Sequence, residues 1–140
     1  MDKIKKLISL MEETMKFYGG IGLASTQVGI HYKVAIVSDG IVKPIALINP
    51  KITFLTKEEE TNREGCLSFP GIEAYVPRCK KIRVDYYDTF GSERSIETDG
   101  LLSICIQHEC EHLSGKTFLE KMSKRKREMV KKTISKRFLR

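Results

Sequence analysis

Apolar residues recur at helical spacing near the amino terminus, where Ile4, Leu7, Ile8, Met11 and Met15 fall on one face. That pattern predicts an amphipathic helix over residues 2–18, with Gly19 and Gly20 as the left-handed positions that end it. The period then shortens. Residues 31–38 (HYKVAIVS) and 45–56 (IALINPKITFLT) are rich in β-branched side chains and read as strands, with Pro44 and Pro50 marking interruptions or edges. Residues 57–63 (KEEETNR) read as a charged, exposed loop. Residues 74–87 and 94–98 flank Asp88-Thr89-Phe90-Gly91-Ser92, a hairpin turn with Gly91 in a left-handed slot. Residues 100–113 read as a second helix, with Asp99 as N-cap and Gly115 as its stop. Leu101, Leu102, Ile104, Cys105 and Leu113 fill its buried side. A third helix, about 123–138, has Ser123 as N-cap and a narrow stripe of Val130, Ile134 and Phe138.

This order predicts an α+β fold: antiparallel β-sheets packed around a central helix at 100–113, with an N-terminal and a C-terminal helix. No linker, repeat or low-complexity tract interrupts it, so residues 1–140 read as a single domain. A content of 41% hydrophobic and 31% charged residues is a soluble globular balance, and no apolar run approaches a membrane-spanning length. Glu12 and Glu13 cut short the apolar run at 7–11 and no small-residue cleavage site follows, which excludes a secretory signal. A cytoplasmic protein with no membrane partner is the expectation.

Cys66, Cys79, Cys105 and Cys110 form no CxxC pair and no disulfide-like spacing, which fits a reducing compartment. Cys105 reads as a small buried apolar residue and Cys79 as a strand residue. The net charge of +7 is unevenly placed: residues 121–140 carry ten Lys or Arg against Glu128, a net of +9, leaving −2 for the rest. Such a tail suits phosphate backbones, RNA above all, and equally suits a solvated terminal helix.

Candidate chemistry concentrates in His108-Glu109-Cys110-Glu111-His112, which holds two of the three histidines of the chain. Residues four apart share a helix face, so both imidazoles can reach one ion, while Glu109 can act as general base on a water activated there. The alternative is a pair of surface histidines. Cys110 falls on a different face and is a poor ligand. A catalytic ion usually takes three protein ligands, and the downstream ligand of the zinc proteases is missing, since only Glu120 and Glu128 follow. Upstream, Cys66 in Glu64-Gly65-Cys66-Leu67-Ser68 reads by itself as a buried structural cysteine, but it could complete a His₂Cys set suited to Fe(II), Zn(II), Ni(II) or Co(II). Residues 20–27 (GIGLASTQ) lack the further glycine or lysine of a phosphate loop, and Gln27 could donate to a developing oxyanion.

Together GIGLASTQ at 20–27, EGCLS at 64–68 and QHECEHLSG at 107–115 resemble, in this order, the three signatures of the peptide deformylases, and the likeness extends over roughly residues 5–130. The resemblance implies removal of the N-formyl group from the initiator methionine of nascent chains, with release of formate. It implies that Cys66, His108 and His112 hold the metal, naturally Fe(2+), with Zn, Ni or Co as substitutes. Glu109 would move the proton of the attacking water to the leaving amine, and the Gln27 side chain and Leu67 N–H would stabilise the oxyanion. Ile21, Gly22 and Gly65 would contact substrate, and Ile104 and Cys105 with His108 would wall the methionine pocket. The basic helix would dock on the ribosome, and a monomer is expected. Compared with the family pattern, Ser25 replaces an alanine, Glu73 an arginine and Glu111 an aspartate, and the sequence opens directly at the first helix. Glu111 is expected to pair with Arg78. The competing readings are an HExxH metallopeptidase and a non-catalytic RNA-associated protein with a structural metal.

Overall fold

The computed structural model describes residues 2–28, 33–38, 43–66 and 69–115, and positions 124, 125, 128, 129 and 132; of Asp2, Gln27, Val28, Cys66 and 69–71 it describes the backbone alone. Helix α1 (Asp2–Phe17) ends as its glycines dictate. The Gly20 N–H reaches back to the Met15 carbonyl at 2.9 Å and the Gly19 N–H to Lys16 at 3.1 Å, closing the last turn. Only Gly19 takes a positive φ, of 67°, so Gly20 is not left-handed as expected.

Among the described residues seven strands follow: β1 (Gly22–Ala24), β2 (Val34–Val37), β3 (Ile45–Phe54), β4 (Glu59–Cys66), β5 (Phe69–Cys79), β6 (Lys81–Tyr87) and β7 (Glu93–Asp99). All pairings are antiparallel. One sheet has the order β1-β2-β3-β6-β7, and β4 and β5 form a separate ribbon. The helix α2 (Gly100–Leu113) completes the described elements.

Strand β2 explains the layering. All four of its residues are buried, because both faces of the large sheet are covered at this strand. Val34 and Ile36 join Leu7, Ile8, Met11 and Met15 of α1 in one core. Ala35 and Val37 join Leu47, Ile82, Val84, Cys105 and Ile106 in the other, under α2. Alternation along a strand sends neighbours to opposite cores, and each aliphatic side chain fully buried is worth about 1.5–3 kcal/mol.

Several expectations change. The segment read as a loop at 57–63 contains the start of β4, whose polar residues hid it: Asn62 and Glu64 face a cleft and an ionic cluster, not an apolar core. The run at 74–87 is two strands in different sheets, broken at Lys80. Asp99 stands at the N-cap of α2 but its side chain makes no capping bond. Leu101 is exposed, and Ile106, fully buried, takes the central place on the buried side. The hairpin turn is as expected, with Gly91 at φ 79° and Asp88 Oδ1 accepting from the Phe90 and Ser92 N–H groups. Gly115, at φ 78°, stops α2. Of the third helix, positions 124, 125, 128, 129 and 132 are helical, whereas Ser123, Val130, Ile134 and Phe138 lie outside the described residues. Among the described residues no helix is long and apolar enough to cross a membrane.

Candidate metal centre

Helix α2 sets His108 and His112 one turn apart on the same face, and both are buried. Their Nε2 atoms are 3.1 Å apart. Glu109, 3% exposed, brings Oε1 to 3.6 Å from His108 Nε2. One ligand atom from each of the three lies within 4.8 Å of the others, so the group could hold a single cation.

The ring of His108 is oriented from behind. Its Nδ1 is 3.0 Å from Glu64 Oε1. Arg78 donates to the same carboxylate through Nε and Nη2, both at 2.9 Å. Burial works against ionisation of Glu64, but the hydrogen bonds from His108 and Arg78 and the guanidinium charge outweigh it, so its carboxyl titrates below the ordinary range. An ionised carboxylate can only accept, which requires the proton of His108 on Nδ1 and directs the Nε2 lone pair towards His112. Two imidazole nitrogens converging beside a carboxylate, with one tautomer imposed from behind, fit a metal ion. Arg78 Nη1 donates in turn to Glu111 Oε1, the pairing expected from the sequence. Burial opposes the guanidinium charge too, yet Glu64 and Glu111 raise its pKa further.

Strand β1 and the 3-10 turn Ser25–Val28 close the other side. A Cβ on Gly22 would stand 2.7 Å from Cys105 Sγ and 2.9 Å from Glu109 Cγ, so only glycine allows this approach. The Thr26 hydroxyl donates to the His112 carbonyl at 3.0 Å, tying the turn to the helix. Ser25, where the family pattern has alanine, uses its Oγ to accept the Val34 N–H at 3.2 Å. The Gln107 amide bridges α2 to the end of β5, accepting from the Cys79 N–H at 3.1 Å and donating to its carbonyl at 2.8 Å. Cys105 donates to the Ile21 carbonyl, and burial with the nearby Glu109 charge pushes its thiol up to about 12, so it stays neutral.

A cleft of about 760 Å³ opens over this cluster. Ile21, Gly22, Gly65, Ile104 and Cys105 line it together with His108 and Glu109, so the residues expected to meet substrate share one cavity. A wider groove of about 920 Å³ lies along another face of α2 and includes neither His108 nor Glu109. The backbone of Cys66 ends β4, paired with Phe69 after a register shift, and the backbone of Gln27 lies in the 3-10 turn. The side chains of Cys66 and Gln27, and Leu67 altogether, lie outside what is described. Residue-level reading missed Glu64, Thr26 and Asn62 as parts of the site. The acid two residues before Cys66 was the only signal among them, since their contacts run between distant segments.

The model of the polypeptide deformylase family matches residues 1–128. The chain belongs to this family. Among curated relatives, peptide deformylase 1 of Pseudomonas syringae pv. tomato is 44% identical over 137 residues, which cover 96% of this chain and 82% of that protein. The peptide deformylase of Ehrlichia chaffeensis, solved in complex with actinonin, superposes with a TM-score of 0.93 at 38% identity, covering 99% of this chain and 85% of that one. The Thermotoga maritima enzyme superposes with a TM-score of 0.84 at 40% identity, covering 88% and 83%. The chain is thus a metal-dependent hydrolase that removes the N-formyl group of nascent polypeptides, with a His-Glu-His group for the metal. The metallopeptidase and structural-metal readings fall away.

Proposed function

We propose that the cleft cleaves the formyl amide of nascent formyl-methionyl peptides, with His108, His112 and Cys66 holding one Fe(II) ion and Glu109 moving the proton. The observation that carries this is the convergence of two imidazole Nε2 atoms, 3.1 Å apart, with the buried Glu109 carboxylate beside the 760 Å³ cleft. A thiolate and two imidazoles suit Fe(II), and Zn, Ni or Co can replace it in preparations. Such an ion, when bound, supplies Lewis acidity to the formyl carbonyl and eases deprotonation of water. Glu109 takes the proton of the attacking water and hands it to the departing amine. The Gln27 amide and the Leu67 N–H donate to the oxyanion, supported by the position of the Gln27 backbone in the turn that Thr26 ties to His112. Ile21, Gly22 and Gly65 border the substrate backbone, and Ile104, Cys105 and His108 form the wall for the methionine side chain. A nascent-chain substrate supports a site of action in the cytoplasm beside the ribosome, and the excess of Lys and Arg in residues 121–140 supports the basic segment 123–138 as the part that docks there.

Formate release from formyl-Met peptides by anaerobically prepared Fe(II) protein tests the reading. Glu109→Gln is expected to lower kcat by about 10²–10⁴-fold while keeping the metal. A fully loaded wild-type protein that releases no formate would refute it. Removing residues 124–140 should weaken ribosome binding and flatten its salt dependence.

A further inference from the structure

Strand alternation puts Glu60, Asn62 and Glu64 on one face of β4. Glu64 on that face touches the His108 ring, and Asn62, one step further along, borders the same cleft. The Asn62 Nδ2 is buried and has no hydrogen-bond partner among the described residues. Ile21, Leu101, Ile104 and Cys105 give the same cleft an apolar share of its wall, and Arg63, which also borders it, is already paired with Glu73 at 3.0 Å, so the Asn62 amide is a donor still without an acceptor there. A buried donor without a partner keeps its desolvation cost until something accepts from it, and the cleft is the open side that this residue borders.

We propose that Asn62 is a specificity-determining residue, donating from Nδ2 to an acceptor in the first side chain of the substrate. It rests on the proposed function, which places that side chain in this cleft. Side chains with sulfur or oxygen at the δ position are then preferred to a hydrocarbon of the same shape. Thioether sulfur is a weak acceptor and ether oxygen a better one, so the preference grows from methionine to its oxygen analogue. A site that hydrogen-bonds a substrate group discriminates against the analogue lacking it, because its own polar group is left unpaired.

The test uses the metal-loaded full chain and three formyl peptides that differ only at the first residue: methionine, norleucine and O-methylhomoserine. The ratio of kcat/KM for O-methylhomoserine over norleucine is expected to fall about tenfold in Asn62→Leu, mostly through KM. Asn62→Asp, similar in shape but without the donor, should lower the same ratio and carries the comparison if the leucine variant does not fold. A purely structural role would slow all three peptides alike. Ratios within about twofold of wild type in the folded variants overturn the inference. Wild-type protein inactive on all three peptides would instead overturn the proposed function, and this inference with it.

Discussion

Arg78 grips Glu64 with two hydrogen bonds, Nε to Oε2 and Nη2 to Oε1, each 2.9 Å long. The pair is almost without solvent, with side-chain exposures of 2% and 6%. It joins β5 to β4, and through Glu64 it holds His108 of α2. Removing one member of such a pair strands the other charge in the interior. Arg78→Met is therefore expected to destabilise the metal-free protein by about 3–5 kcal/mol, read from the denaturant midpoint. Glu64→Gln keeps the shape but loses the charge behind His108, and metal affinity should fall about 10–100-fold. Unchanged affinity in a metal competition titration would show that Glu64 does not orient the ligand.

The lowered pKa of Glu64 also sets a pH dependence. A carboxyl whose folded pKa lies below its unfolded value contributes stability in full above the ordinary value of 4.5, and loses it as pH falls from there through the folded pKa. Metal-free protein should lose stability below about pH 4.5, with a smaller slope in Glu64→Gln. Equal slopes in acid unfolding curves would assign the dependence to other carboxylates.

Gly22 leaves no room for a side chain beside Glu109. An added methyl meets Cys105 Sγ at 2.7 Å and Glu109 Cγ at 2.9 Å, so Gly22→Ala should push Glu109 out of position. A misplacement on the order of 1 Å can cost about 10²-fold in rate, and kcat should fall by that order while metal content stays unchanged. Wild-type kcat in this variant would mean that Glu109, the proposed general base, is not displaced or tolerates displacement.

Cys66 is the proposed third ligand. In Co(II)-loaded protein its thiolate should produce a charge-transfer band in the near ultraviolet, and Cys66→Ala should abolish the band and weaken metal retention. A band that persists in the variant would point to another sulfur. Cys105 and Cys110 are poor alternatives, since burial and neighbouring carboxylates push both thiols up to about 12.

Local pattern carried much of this protein. The 3.6-residue period of α1, the β-branched runs of β2 and β3, the Gly91 turn and the spacing of His108 and His112 each depend on a few adjacent residues, so the chain alone determined them. The three signature segments also identified the family. What the chain left open was set by long-range contacts: β4 is a polar strand because one of its faces lines the cleft, and Leu101 is exposed because the core under α2 is filled by Ile106. The line from Glu111 through Arg78 and Glu64 to His108 joins three elements that are distant in sequence. Periodicity reports which side of an element is apolar, whereas hydrogen bonds between elements require their relative placement. Tertiary structure alone therefore decided which nitrogen of His108 faces His112, and that Asn62 borders the same cavity.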